Sequence, residues 1–250
     1  MKPLAGLAVW LIGSAVAASE PEAQPFCKSV EFRAQTFTVC EADATRDDIR
    51  IFLNGTNGQP LGHFSRLSNM LDASGKTLLF AMNGGMYHPD RSPVGHYVED
   101  GREMMRVIEG AGPGNFGMVP NGIFCVAADS AKVIETETYV RDRPDCRFAT
   151  QSGPMLVIDG ELHPRFLPQS DSRYIRNGVG TSADGTHVVF AKSEGVVNFH
   201  DFASLFRDHL GLPSALYLDG NISRLFDAGA GRDDPGFRMG PIIAIVGASK

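Results

Sequence analysis

Two short apolar runs in this chain stop abruptly at polar residues and glycine. Residues 77–82 (TLLFAM) lead into Asn83-Gly84-Gly85-Met86-Tyr87-His88-Pro89-Asp90, and residues 215–218 (ALYL) lead into Asp219-Gly220-Asn221-Ile222-Ser223-Arg224. A carboxylate or amide at the end of a buried strand stands on a rigid support, which suits chemistry. Glycines there permit close backbone approach to a ligand, and consecutive exposed amides can bind an anion; a tight turn uses the same residues. Ser152, in Gln151-Ser152-Gly153-Pro154, has a nucleophile's hydroxyl but the neighbours of a turn or ligand contact. The sequence has no complete phosphate loop, no His-Glu-x-x-His and no Gly-x-Ser-x-Gly.

Groups of this kind need elements to hold them. Phe64, Leu67 and Leu71 recur at helical spacing and predict a helix over residues 63–72. Phe199, Phe202, Phe206 and Leu210 predict a second one, capped by Asn198 and stopped by Gly211 and Pro213. Strands are expected over residues 30–39 and 49–53, and on both sides of the Asp100-Gly101 turn. Further strands are expected over residues 122–127, 132–140, 155–158, 188–192 and 241–246. Many short strands joined by Asp-Gly turns, two evident helices and no regular βαβ alternation predict an α+β fold. It is read as a single domain, mostly antiparallel or mixed β-sheet with a few flanking helices. No repeat or linker divides residues 19–250.

The N-terminus reads differently. Lys2, the apolar residues 4–16 and the small residues around Ala17 and Ala18 have the order of a secretory signal peptide, assigned to residues 1–18. The apolar run is short for a membrane span, and after cleavage no stable span is expected. A periplasmic or secreted protein follows. Loss of Lys2 with the leader takes the formal charge from −6 to −7. No basic run or basic-aromatic patch stands out, so nucleic acid is not an expected partner. All four cysteines lie in the exported part, where disulfides form. Three connectivities are open; Cys27 with Cys40 and Cys125 with Cys146 is the choice in which each pair flanks a possible hairpin. A zinc site is the rival, but the cysteines lack close pairing.

Four segments occur in a telling order: Asn83-Gly84-Gly85-Met86-Tyr87, Ser152-Gly153-Pro154, Arg176-Asn177-Gly178-Val179-Gly180 and Leu218-Asp219-Gly220-Asn221-Ile222-Ser223. In this the chain resembles the phosphodiester glycosidase family, in its short exported bacterial branch. The family includes a lysosomal enzyme that removes N-acetylglucosamine from a phosphodiester on mannose. The resemblance runs from about Phe32 to the C-terminus. One departure is Asn221, where the family carries a second glycine; asparagine tolerates the left-handed backbone, but its side chain enters space the family leaves open.

The resemblance implies a hydrolase that cleaves a glycosyl phosphodiester, with a glycosyl-phosphate small molecule or glycoconjugate as partner. The departing phosphate monoester needs little general-acid help, whereas a carboxylate that activates water or stabilises an oxocarbenium-like centre remains useful. Asp219 takes that role. Arg176 is the first choice for the phosphate, with Arg173 and Arg224 behind it. Asn83, with the amides near Gly84 and Gly85, would hold a sugar hydroxyl or a phosphate oxygen. By the same carry-over Ser152, Gly153, Asn177, Gly178, Gly220 and Ser223 are pocket contacts, and His88 and Glu99 are reserve acids or bases. No cofactor is required, although Asp90, Glu99, Asp201 and Asp219 are hard oxygen ligands of the kind calcium takes. Two rivals are a carbohydrate-binding accessory protein without turnover and a phosphodiesterase that cuts the P–O bond.

Overall fold

The structure, a computed structural model, describes residues 26–219 and 222–248; the expected leader, Gly220 and Asn221 lie outside these residues. The alternating patterns become three β-sheets in which the paired strands run antiparallel. The large sheet has the order Cys27–Phe32, Gln35–Asp43, His187–Ser193, Asn177–Thr181, Ser214–Tyr217, Met155–Ile158, Glu161–Leu162. A second sheet is ordered Arg232–Asp233, Leu225–Asp227, Lys76–Asn83, Ile242–Ala248, Asp48–Phe52. The third is ordered Arg102–Met105, Tyr97–Glu99, Phe148–Ser152, Gly122–Val126, Ala131–Glu135.

The sheets bury their apolar faces against one another. Phe190 of the large sheet lies 5.0 Å from Phe80 of the second and 6.0 Å from Phe124 of the third, ring centre to ring centre, and all three rings are fully buried. These contacts give the domain one core shared by three layers. The helix Phe64–Asp72 lays Phe64, Leu67 and Leu71 on the outer face of the second sheet, as their spacing requires. On the outer face of the large sheet sits the helix Phe199–Ser204, which continues as a wider turn, Leu205–His209. Asn198 caps it, its side-chain oxygen accepting from the Asp201 amide at 2.8 Å.

The Asp-Gly turns form as expected. Asp100 and Gly101 have φ of 49° and 74°, and Asp159 and Gly160 have 48° and 85°, the left-handed pair that a two-residue hairpin requires. One expectation fails. The strand read over residues 132–140 ends at Glu135, and Thr136–Asp142 is a third helix. The Glu135 carboxylate caps the Thr138 amide at 2.9 Å, Thr136 and Tyr139 turn one face inward, and Arg143 closes the helix in the left-handed conformation.

Both disulfides have the expected partners. Cys27–Cys40 joins facing residues of the first hairpin, and Cys125–Cys146 ties a strand of the third sheet to the segment after the third helix. Among the described residues no helix is long and apolar enough to cross a membrane.

Candidate active site

The four segments singled out in the sequence meet where the three sheets converge. Asn83 is the last residue of its strand in the second sheet, Ser152 the last of its strand in the third, and Asn177 the first of its strand in the large sheet. All three are fully buried. The Asn177 amide nitrogen donates to Asn83 Oδ1 at 2.7 Å, and its own Oδ1 accepts from the Asp219 backbone N–H at 3.2 Å. Asn83 Oδ1 also accepts from the Arg224 N–H at 3.0 Å, so a single side chain fixes the return of the chain after the Asp219 loop. From the third sheet the Ser152 hydroxyl donates to the Leu218 carbonyl at 2.6 Å. Ser223 completes the frame, its hydroxyl lying 3.1 Å from the Ile175 carbonyl and 3.3 Å from that of Asp219. Asp219 is therefore held at its backbone by Asn177 and Ser223, and Leu218 before it by Ser152.

The glycines serve close approach. A Cβ on Gly85 would lie 2.3 Å from the Gln151 carbonyl oxygen, and one on Gly153 would lie 2.7 Å from Asn121 Cβ. The Gly84 amide donates to the Pro241 carbonyl at 2.7 Å and that of Gly85 to Thr150 Oγ1 at 3.2 Å. Those two amides, read as anion donors, are thus spent inside the fold. Gly178 likewise passes close to the Leu216 carbonyl, 2.7 Å from where a Cβ would sit.

Asp219 opens onto a cleft of about 370 Å³, whose walls include Met86, Asn115, Ser172, Tyr174 and Tyr217. Two other surface clefts are larger, about 450 and 520 Å³, so the convergence of polar groups, not size, marks the site. Burial and the Asp219 carboxylate together push the Tyr217 phenol well above its ordinary range and raise Tyr87 to about 12. Both tyrosines stay neutral and protonated at physiological pH.

Arg176 is fully buried behind the cleft. Its Nε donates to the Val197 carbonyl and one terminal nitrogen to that of Ser172, each at 2.9 Å, and the guanidinium lies 3.6 Å from the Phe199 ring centre. Burial lowers its pKa, while the neighbouring Tyr217 and Tyr174 phenols act the other way. Among the described residues at this junction three buried polar atoms, Asn83 Nδ2, Arg176 Nη1 and the Tyr217 hydroxyl, make no hydrogen bond of good geometry, although Arg176 and Asn115 both lie close enough to the Tyr217 hydroxyl to oppose the rise in its pKa. Native folds rarely leave such groups unpaired, and each can donate to a ligand.

The remaining expected side chains do not line the cleft. Arg173 reaches toward Asp201 at 4.0 Å, and Arg224 is occupied by the carbonyls of Asp234 at 2.7 Å and Phe237 at 3.1 Å. His88 is exposed on its loop. Glu99 accepts from the Tyr97 hydroxyl at 2.6 Å, and its strand runs away from the Ser152 end of the third sheet. Burial raises the pKa of Glu99, but the group faces a different part of the molecule. Asp90 is engaged by Ser92 and Asp201 lies by Arg33. Among the described residues no three acidic, histidine or cysteine side chains gather to hold a metal, and the possible calcium set is dispersed. Gly220 and Asn221 lie outside the described residues.

Tyr217 and Asn115 were not read as site residues. Tyr217 sits two residues before Asp219, the strand repeat that puts side chains on one face, so its place was available from spacing. Asn115 belongs to a glycine-rich loop with no periodic signal.

Fold and cleft together define an α+β domain with a polar cleft at the junction of three sheets. The chain belongs to the phosphodiester glycosidase family, whose profile matches residues 76–239. Uncharacterized protein YigE of Escherichia coli strain K12 is 34% identical over 195 residues, 78% of this chain and 74% of that protein. Among solved structures, the zebrafish N-acetylglucosamine-1-phosphodiester alpha-N-acetylglucosaminidase catalytic domain, auto-inhibited by its pro-peptide, superposes with a TM-score of 0.62. It is 14% identical and covers 92% of this chain and 85% of its own. A hypothetical protein from Synechocystis superposes with a TM-score of 0.59 at 12% identity, covering 88% of this chain and 61% of its own.

Proposed function

We propose that this protein is an exported hydrolase that cleaves a sugar-1-phosphodiester at the anomeric carbon, in an envelope or extracellular glycoconjugate. Family membership supports the reaction class. Two disulfides and the leader-like N-terminus support export. The observation that carries the reading is a cleft walled by both Asp219 and Tyr217, with the buried Arg176 guanidinium beside Tyr217 and the Asn83–Asn177 pair fixing the Asp219 loop.

In this reading the sugar ring occupies the cleft beside Asp219. The Asp219 carboxylate takes a proton from water as the water oxygen bonds to C1, and the C1–O bond to phosphate breaks with its electron pair leaving on the phosphate monoester. The phosphate carries its own charge away, so no strong general acid is needed. The neutral Tyr217 hydroxyl donates to a phosphate or sugar oxygen, and Arg176, one layer behind it, supplies fixed positive charge in a site of low dielectric. Asn83 and Asn177 hold the geometry of the Asp219 loop, and Asn83 Nδ2 is a donor for a sugar hydroxyl.

The test is release of free sugar from a panel of sugar-1-phosphodiesters by the purified protein and by Asp219→Asn. The reading requires release by the native protein and a loss of about a hundredfold or more in the variant. Equal rates would remove Asp219 from its role, and binding without release would make the protein a carbohydrate-binding accessory.

A further inference from the structure

A second groove of about 340 Å³ adjoins the Asp219 cleft, and Tyr174 walls both. Its lining is unlike that of its neighbour. Ile175, Val196, Ile222 and Phe237 form the floor and rim, and Phe237 is 81% and Val196 58% exposed. Large apolar side chains exposed together need a reason, because water gains by covering them.

The walls are held in place. Tyr174 and Val197 exchange backbone hydrogen bonds at 3.1 and 2.9 Å, which ties residues 173–175 to the segment that carries Val196. On the opposite side Arg224 donates to the Asp234 and Phe237 carbonyls, so the loop that presents Phe237 is anchored by a buried cation. The polar groups of the lining are already engaged: Ser223 with the Ile175 and Asp219 carbonyls, and Arg224 with its own loop. A sugar in this groove would find few partners for its hydroxyls, whereas a hydrocarbon needs none. Arg173 also lines it, with its nearest carboxylate 4.0 Å away, and offers a cation beside the Tyr174 wall where the two cavities meet.

We propose that this groove receives a hydrocarbon ester group of the substrate's phosphate. The substrate is then a sugar joined through phosphate to an alkyl chain, with the sugar by Asp219, the phosphate near Tyr174 and Arg173, and the chain on Phe237 and Val196. This rests on the hydrolase reading above for the cleft, but not for the groove itself.

Calorimetry with octyl phosphate and methyl phosphate tests the groove without any turnover. Octyl phosphate is expected to bind on the order of a hundredfold more tightly, about half of its methylenes being shielded. That ratio should collapse in both Phe237→Ser and Val196→Asp, two surface changes on different walls. Equal affinities for the two phosphates, or a ratio that both variants leave intact, would overturn the proposal. So would binding to phospholipid vesicles that both variants abolish in a protein showing no octyl selectivity, since that marks a membrane-contact face. In parallel, the octyl and methyl esters of N-acetylglucosamine-1-phosphate are assayed for sugar release. Octyl selectivity in binding with neither ester cleaved defeats the hydrolase reading alone, and cleavage of both esters at equal kcat/KM without octyl selectivity defeats the groove alone.

Discussion

Asn83 and Asn177 face each other across the junction of two sheets, with the amide nitrogen of one 2.7 Å from the amide oxygen of the other. Each carries a second duty on the chain after Tyr217: Asn177 accepts from the Asp219 N–H and Asn83 from the Arg224 N–H. The loop bearing Asp219 is thus fixed at both ends by a pair of buried amides.

Asn177→Ala should therefore do more than remove one contact. It strips the Asp219 amide of its partner and leaves Asn83 Oδ1 with one donor fewer, in a fully buried place. A loss of about 1–3 kcal/mol in denaturant unfolding is expected, with sugar release falling alongside. Unchanged stability would mean that the pair does not hold the loop.

Gly85→Ala tests close approach without removing a polar group. The added methyl would sit 2.3 Å from the Gln151 carbonyl oxygen and 2.5 Å from Thr150 Oγ1, both on the strand that must stay in register. A cost of about 1–3 kcal/mol follows from forced displacement, seen as a lower unfolding midpoint. Gly58→Ala has nothing within 4 Å to meet, but its φ of 74° makes it a strain-only control.

His96 sets a pH dependence away from the site. It is buried, with Nδ1 3.0 Å from the Met105 carbonyl and Nε2 paired with the Tyr139 hydroxyl at 2.9 Å. Burial depresses its pKa below the usual 6.5, opposed by the Met105 hydrogen bond and by Glu103. The unfolded chain takes the proton first, so the stability that His96 contributes is complete above about pH 6.5. It is lost progressively as the pH falls through the lower folded-state value. Denaturant midpoints at pH 7 and pH 5 should differ less in His96→Gln than in the native protein; an equal difference would place the dependence elsewhere.

Much of this was legible in the residue pattern. The Asp-Gly turns, the Asn198 cap and the Phe64–Leu67–Leu71 face depend on local geometry and formed as read. Residues 132–140 misled because Val133, Thr136, Thr138 and Val140 favour strand on their own, while the Glu135 cap and the inward Tyr139 settle a helix there. The order of the motifs pointed to one site, yet their division of labour came only with the fold. Gly84 and Gly85 spend their amides on Pro241 and Thr150, contacts 157 and 65 residues away in sequence. Arg176 stands behind the cleft because Phe199, on a helix more than twenty residues on, supplies the ring that covers it.

The central claim is that water attacks the anomeric carbon, and the fate of its oxygen decides it. A cleaved sugar-1-phosphodiester in ¹⁸O-labelled water should yield label in the released sugar and none in the phosphate monoester. Label in the phosphate would contradict the account, making the protein a phosphodiesterase that breaks the P–O bond.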